Sequence, residues 1–316
     1  MTACKKEKTR EPSGIVAGIW STVALVGVVA FATALSEESA NYFMECAKIA
    51  VLHVLPTSFP FMIIADWYTS SGGADRLPVL GRLFSLAFGL PPQALSAYVC
   101  GSLCGFPVGA RSVGEMYRRG ELDKGDAERL VALSSNPSLA FIIGAVGLGI
   151  LGSSRIGLLL LFSVHLSGIL CGILLRRKHA YSDISHRNSR QKFDIISSVR
   201  DAGVSSVSII SFITAAGIIT RLIQNHIGSP VISAAALALI EVTGGVMFFA
   251  VHTALAEVVR LSLVAFVLGF GGICVLMQSR ALIGSDDISF VPYFFIKLLQ
   301  GILAASICAA LYLLII

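Results

Sequence analysis

Long apolar runs separated by short polar segments dominate this chain. A membrane-spanning helix needs about 20 consecutive apolar residues, and the chain contains several runs of that length. These runs predict transmembrane helices at residues 13–35, 45–69, 130–151, 155–175, 201–222, 256–279 and 290–315. The pattern therefore predicts an all-α polytopic membrane protein.

Two further apolar stretches, at 94–116 and 230–252, contain helix-breaking residues at their centres. The first holds Gly101, Gly105, Pro107 and Gly109, and the second holds Glu241, Thr243, Gly244 and Gly245. Lipid cannot satisfy the backbone groups that such breaks free, so both stretches should be enclosed by protein or line a wet cavity. We predict that each forms a re-entrant hairpin of two half-helices, with its tip near the middle of the membrane.

A short amphipathic helix is predicted just before the first hairpin. Its apolar positions recur at helical spacing and lie beside two arginines: Leu77, Leu80, Leu83, Phe84, Ala87, Arg76 and Arg82. This pattern is typical of a helix that lies on the cytoplasmic surface of a membrane.

The order of these segments repeats. Residues 45–175 contain a span, a hairpin and two spans, and residues 201–316 contain the same series after a basic linker at 176–200. Residues 1–44 form an N-terminal cytoplasmic tail and the first span. The first series contains three full crossings, so the second series begins on the opposite side of the membrane. The repeats are therefore inverted, which is the architecture of secondary transporters with a site at the bilayer midplane. This topology places the C-terminus outside; if 230–252 crosses fully, the C-terminus lies inside.

The composition agrees with a membrane protein. Of the 316 residues, 55% are hydrophobic and 14% are charged, and the mean hydropathy is +0.81. A soluble domain carries about 25% charged residues. Because the runs leave little chain for a soluble domain of roughly 100 residues, we do not expect a membrane enzyme with a separate catalytic head.

The net charge of +5 is concentrated in two segments. Basic residues precede the first span and fill the linker: Lys5, Lys6, Lys8, Arg10, Arg176, Arg177, Lys178, Arg187, Arg190, Lys192 and Arg200. The positive-inside rule makes both segments cytoplasmic. Because topology explains these charges and no aromatic residues interleave to stack bases, no nucleic-acid partner is expected.

No motif indicates catalysis. The sequence has no Walker motif, nucleophile elbow, HExxH pattern or paired carboxylates of the glycosidase type. The seven cysteines lie mostly in apolar segments, and Cys100 and Cys104 lack further ligands at zinc spacing. We expect no enzymatic activity, no cofactor, no metal site and no disulfide framework.

The tip of the first hairpin is the first candidate binding site. Gly105, Phe106, Pro107 and Gly109 permit tight backbone, and the N–H groups at the start of a half-helix favour an anion. Arg111 follows directly and can clamp a carboxylate through two hydrogen bonds. The alternative is that Arg111 begins a solvated, helix-rich cytoplasmic connector over 111–129.

The next span is interrupted by Asn136, Pro137 and Ser138. A proline in an apolar helix frees carbonyl groups, which can bind a cation or a substrate hydroxyl. Asn136 and Ser138 are binding candidates because polar side chains at membrane depth need partners. A structural kink alone would also explain the proline.

Glu241 is the strongest single candidate, because an acid within an apolar run should face a cavity and pair, bind a cation or carry a proton. Thr243 and Gly244 share its hairpin tip and are further substrate-binding candidates. A structural pair with His165 or Lys297 is the alternative, and His165 is itself a candidate proton carrier. The Gly269–Gly272 cluster is expected either to unwind its helix or to pack closely against another helix.

Three segments in order carry a family resemblance: CGSLCGFPVGA at 100–110, MYRRGELDKGDAERL at 116–130 and LSSNPSLAFIIGAVG at 133–147. Together they resemble the sporulation integral membrane proteins of the YlbJ type, over about residues 45–310. That family belongs with the nucleoside recognition (Gate) domain proteins and is distantly similar to concentrative nucleoside transporters, which have inverted repeats and re-entrant hairpins. Phe106 stands where tyrosine is common, which puts a hydroxyl contact there in doubt.

The resemblance implies a bacterial permease that moves dipicolinic acid across the outer forespore membrane during sporulation. Arg111 and the hairpin N–H groups would then meet one carboxylate, Asn136 and Ser138 the ring nitrogen or second carboxylate, and Phe106 a ring face. Glu241 would bind a coupling proton or sodium ion, and a homo-oligomer is compatible with this architecture. The alternatives are a permease for nucleosides or other metabolites, and a non-transporting scaffold that recruits partners through the basic linker.

Overall fold

A computed structural model describes residues 37–73, 76–177, 193–226, 230–251, 254–285 and 287–315. The predicted first span at 13–35 and most of the basic linker lie outside these residues. The chain divides into two compact units, Met1–Glu45 and Cys46–Ile316, and every feature discussed below belongs to the second unit.

All regular structure in the described ranges is helical. The first part of the chain forms α1 (Glu37–Ile49), a π-helix (Ala50–Val54), α2 (Leu55–Ser70), α3 (Pro78–Phe88), a 3-10 turn (Pro92–Ala94), α4 (Leu95–Cys104), α5 (Val108–Arg118), α6 (Lys124–Ser134), a second π-helix (Ala140–Ile150) and α7 (Ser154–Leu174). The remainder forms α8 (Ile195–His226), α9 (Pro230–Ile240), α10 (Val242–Val251), α11 (Glu257–Phe270), α12 (Gly272–Ile283) and α13 (Phe290–Ile315).

Four predicted spans form helices that are long and apolar enough to cross a membrane: Ser154–Leu174, Ile195–Arg221, Glu257–Ile283 and Phe290–Ile315. A fifth results if Pro78–Phe88 and Pro92–Cys104, which meet at 98°, are one broken span. The described helices thus give four or five candidate crossings, fewer than the sequence predicted.

Two predicted spans are interrupted helices instead. The span at 45–69 changes to a π-helix at Ala50–Val54, and the span at 130–151 contains the non-helical segment 135–138. Pro56 and Pro137 explain both interruptions, because proline has no N–H to donate back to the preceding turn.

The two stretches predicted as hairpins are both pairs of short helices. Helices α4 and α5 are separated at 105–107 and pack through Gly101 and Gly109, whereas α9 and α10 are separated at Glu241 and pack through Gly245. Their re-entrant placement, and the inverted relation of the two halves, stay predictions. The predicted amphipathic helix is also present, as α3, and its place on the membrane surface stays a prediction.

Candidate functional site

The helix breaks of the molecule meet at one place. A Cβ added to Gly105, at the tip between α4 and α5, would lie 2.7 Å from the backbone nitrogen of Ser138. A Cβ on Gly271 would lie 3.3 Å from the Phe106 ring, and one on Gly272 would lie 3.2 Å from the backbone nitrogen of Glu241. The first hairpin tip therefore contacts both the break in the 130–151 span and the break at Gly271–Gly272, and the second tip contacts the break at Gly271–Gly272.

Glycine allows the break between α11 and α12 to form. Gly271 and Gly272 have φ values of 85° and 79°, in the left-handed region that other residues rarely adopt. The predicted unwinding of the Gly269–Gly272 cluster is thus present at these two residues. Gly269 instead packs α11 against α13, where a Cβ would lie 3.1 Å from the Cα of Gly301. Each of the two expectations for the cluster holds for a different part of it.

A buried network of polar side chains adjoins the non-helical segment 135–138. The Nζ atom of Lys297 donates to the carbonyl of Ser135 at 2.6 Å and to Oε1 of Gln300 at 2.7 Å, and it lies 3.4 Å from Oδ1 of Asn136. The Gln300 amide donates to Oδ1 of Asn136 at 2.8 Å. Lys297 is 0% exposed and Asn136 and Gln300 are 1% exposed, so protein encloses the network.

The network connects four elements. Asn136 donates back to the carbonyl of Leu133 in α6 at 2.7 Å, and Gln300 of α13 lies 3.3 Å from the carbonyl of Val164 in α7. Gly168 of α7 leaves space for the Gln300 amide, because a Cβ there would lie 3.0 Å from Nε2. The network therefore satisfies carbonyls at the end of α6 that the break leaves free.

Further polar atoms near the network have no hydrogen bond of good geometry in the described part of the chain. They are the hydroxyls of Ser135, Ser279 and Tyr293, and Nε2 of His165. The Tyr293 hydroxyl faces the hydroxyls of the two serines. All three hydroxyl residues are buried, and each hydroxyl can donate a hydrogen bond.

A second buried cluster joins α2, α5 and α8. Arg111 of α5 forms an ion pair with Asp66 of α2 at 2.7 Å, and the same Asp66 oxygen accepts a hydrogen bond of 2.5 Å from Ser198 of α8. Oε1 of Glu115 lies 3.5 Å from the same guanidinium nitrogen of Arg111 that pairs with Asp66. Asp66 is 8% exposed and Arg111 5% exposed, so the charges neutralise each other within the protein.

This second cluster adjoins an open polar cavity of about 250 Å³. The cavity lies at the start of α8, the end of the molecule that the basic linker predicts to be cytoplasmic. Four carboxylates and two guanidiniums line it: Asp66, Glu115, Asp194, Asp201, Arg118 and Arg119. The lining therefore carries more negative than positive charge.

Asp194 stands just before the first residue of α8. Its carboxylate accepts hydrogen bonds from the N–H groups of Ile196 at 3.1 Å and Ser197 at 3.2 Å. These backbone hydrogen bonds hold the pKa of Asp194 below its ordinary value. The residue is therefore ionised at neutral pH and adds to the negative charge of the cavity.

Arg111 differs from both sequence expectations. Its guanidinium pairs with Asp66 instead of being free to clamp a substrate carboxylate. The residue is also buried within α5 and does not begin a solvated connector. Asp126 and Arg129 are likewise buried, and Arg129 donates to the carbonyl of Gly89 at 2.7 Å. The connector is helix-rich as predicted, but these charged residues hold helix ends together instead of facing water.

Glu241 caps the start of the helix that follows it, α10. Its carboxylate accepts hydrogen bonds from the N–H groups of Thr243 at 2.9 Å and Gly244 at 2.5 Å, at the start of α10. Thr243 and Gly244 were predicted to bind a substrate, but their N–H groups donate to Glu241 instead. Neither Lys297 nor His165 pairs with Glu241 in the described part of the chain.

The other predicted residues stand at or near the junction of the breaks. Gly105 and Ser138 are in contact, Phe106 faces Gly271, and Pro107 is the residue before α5. Asn136 belongs to the buried network. Gly109 is covered by Gly101 and by the carbonyl of Ser134, so its role is close helix packing.

Sequence reasoning missed six residues of the two clusters: Asp66, Ser135, Ser198, Ser279, Tyr293 and Gln300. It considered Lys297 only as a partner for Glu241. Asp66 is the one charged residue in the apolar string FMIIADWY, and Gln300 follows Lys297 in the apolar string IKLLQGIL. A polar residue within an apolar run is the signal that identified Glu241. The same criterion, applied to every span, would have found both.

Comparison with known proteins gives one relative. No protein-family model matches the chain, and no solved structure is significantly similar to it. The sporulation integral membrane protein YlbJ of Bacillus subtilis (strain 168) is 24% identical over 304 aligned residues, which cover 80% of this chain and 72% of the relative. The chain is a multi-pass integral membrane protein and a distant relative of the YlbJ type, as its hairpin and Asn136 segments predicted.

Proposed function

We propose that this protein is a secondary transporter that moves a small planar organic anion by alternating access. The contact of two helix-pair tips with two interrupted helices is the observation that supports it. Broken helices expose backbone groups at membrane depth, and transporters use such breaks to bind substrates between two halves that rock against each other. The breaks here adjoin a buried lysine and two amides, which suit a ligand with acidic and hydrogen-bonding groups.

Dipicolinate is the substrate that we propose, and the outer forespore membrane of a sporulating bacterium is the proposed location. The relative's name places it in sporulation, and the family resemblance implies this substrate. Dipicolinate is a flat pyridine with two carboxylates. Phe106 would meet a ring face, and Asn136 and Ser138 would meet the ring nitrogen or a carboxylate. Arg111 could bind a carboxylate only after releasing Asp66, and Glu241 would carry the coupling proton or cation only after releasing α10.

Uptake of labelled dipicolinate into proteoliposomes tests the proposal. We expect wild-type protein to accumulate label above empty vesicles, with competition by unlabelled dipicolinate. No uptake by folded, correctly inserted protein would refute the proposal. Competition by nucleosides but not by dipicolinate would instead indicate a nucleoside permease.

Gly271→Ala tests whether the junction of the breaks is the transport site. A methyl group there strains the left-handed backbone and meets the Phe106 ring at 3.3 Å. Gly120→Ala is the matched control, because Gly120 has a φ of 72° but no atom within 4 Å of an added Cβ. Backbone strain of about 1–2 kcal/mol is common to both variants. We expect the Gly271 variant to lose most uptake and the Gly120 variant to keep it; equal uptake by the two would place the transport path elsewhere.

The basic linker distinguishes a transporter from a scaffold. Replacing the arginines and lysines of 176–200 by glutamine should leave uptake largely unchanged if these charges only set the topology. Normal uptake in vesicles together with lost function in cells would favour the scaffold that recruits partners through this segment.

A further inference from the structure

Three basic side chains are buried in the described part of the chain, and they differ in what balances their charge. Arg111 has Asp66 at 2.7 Å, and Arg129 has Asp126 at 3.6 Å. Lys297 contacts only the neutral oxygens of Ser135, Gln300 and Asn136. Among the described residues, Lys297 is the one buried base without a carboxylate in ion-pair range.

The surroundings of Lys297 offer several hydrogen-bond donors. The lysine ammonium has only donors, and the buried hydroxyls of Ser135 and Ser279 face that of Tyr293, where each can also donate to a bound acceptor. The Tyr293 side chain lies one helical turn before Lys297 on the same face of α13. A carboxylate, which only accepts hydrogen bonds, complements such a set of groups.

We infer that Lys297 supplies the charge that binds a carboxylate of the transported anion, with the buried hydroxyls of Tyr293, Ser135 and Ser279 as further donors. This inference rests on the proposed function and moves the anion-binding charge from Arg111 to Lys297. The ligand class is a planar organic acid, one carboxylate of which exchanges for the Ser135 carbonyl or the Gln300 oxygen on the ammonium. The site is enclosed, so one of the adjoining helix breaks must move before a ligand can enter.

A purely structural role would not need a lysine. The contacts of Lys297 are hydrogen bonds to a backbone carbonyl and to amide oxygens, and a glutamine amide can also donate to such acceptors. An ammonium buried within protein without a counter-charge is unfavourable. The positive charge of Lys297 therefore needs an explanation, and binding an acidic ligand provides one.

The test compares three labelled probes on the full-length protein: pyridine-2,6-dicarboxylate, pyridine-2-carboxylate and the neutral pyridine-2,6-dicarboxamide. Equilibrium binding to the detergent-solubilised wild-type protein should rank diacid above monoacid and both above the diamide. This arm needs no variant. Diamide binding as tight as that of the diacid would overturn the role of Lys297 while leaving a transporter of planar pyridines intact.

Lys297→Gln and Lys297→Arg form the second arm. Because a charge-assisted hydrogen bond is lost, we expect Lys297→Gln to weaken diacid binding about 10- to 100-fold and to leave diamide binding within about threefold. Lys297→Arg should retain the preference for acids over the diamide. Lys124→Gln makes the same change at a lysine that is 57% exposed, and it should bind all three probes as wild type does.

The outcomes separate the two proposals. Wild-type protein that binds and transports none of the probes refutes the proposed function and the inference together. Wild-type uptake of the diacid, with an unchanged preference in folded Lys297→Gln protein, refutes the inference alone. If Lys297→Gln does not fold, the wild-type ranking and the Lys297→Arg preference decide.

Discussion

Two buried clusters carry charge in this protein, and they differ in whether the charge is balanced. Arg111 and Asp66 form an ion pair of 2.7 Å beside an open cavity of about 250 Å³. Lys297 lies in an enclosed network of neutral oxygens. In the first cluster the arginine is paired with a carboxylate, whereas Lys297 in the second has no carboxylate partner among the described residues.

The difference changes the interpretation of Arg111. From sequence, an arginine just beyond a hairpin tip is the natural clamp for a carboxylate. In the fold its charge is committed to Asp66, and the cavity beside it is lined by four carboxylates and two guanidiniums. Arg111 and Arg200 pair with two of these carboxylates, Asp66 and Asp201, so the acidic side chains there already have basic partners. The paired cluster is therefore suited to holding α2, α5 and α8 together, and the anion-binding role passes to the centre of the molecule.

Removing one partner of the ion pair gives the largest expected effect on stability. Arg111→Met leaves the buried Asp66 without its counter-charge, and breaking a buried pair in this way costs about 3–5 kcal/mol. Denaturant unfolding of the purified protein measures the loss. Arg111→Met combined with Asp66→Asn leaves no unpaired charge, so the double variant should recover most of it. A double variant as unstable as the sum of the single variants would show that the two residues do not act as a pair.

The hydroxyl of Ser198 should contribute less. Ser198→Ala removes one hydrogen bond to the Asp66 carboxylate, and bonds to charged groups contribute about 1.5–3 kcal/mol. Ser211→Ala on the same helix is the control, because that hydroxyl is exposed and bonds to the carbonyl of Val207 within α8. We expect a clear loss of stability in the first variant and little change in the second. Equal effects would mean that Asp66 does not need this third partner.

The sequence predicted the positions of the breaks better than their partners. Proline and glycine act on their own backbone, so Pro137 and Gly271 were found from local rules. The partner of a charged residue depends on which distant helix lies opposite, and no local pattern encodes that Arg111 of α5 faces Asp66 of α2. The capping of α10 by Glu241 was local and could have been found, because a carboxylate at a helix start accepts N–H groups two and three residues later.

Lys297→Met gives the smallest expected effect on stability and thereby the sharpest contrast with Arg111→Met. The substitution leaves the Ser135 carbonyl and the Gln300 oxygen without the Lys297 donor. Each buried group left unsatisfied lowers the free energy of unfolding by about 1–3 kcal/mol. The substitution also removes an unbalanced buried charge, whose desolvation opposes folding and offsets much of that loss. The net change in the free energy of unfolding, measured without ligand, should therefore stay within about 2 kcal/mol. A saturating planar diacid should stabilise wild-type protein but not this variant, because only the wild-type site has a charge to bind it. A loss as large as that of Arg111→Met without ligand would mean that Lys297 holds the fold together, and the two clusters would then be alike.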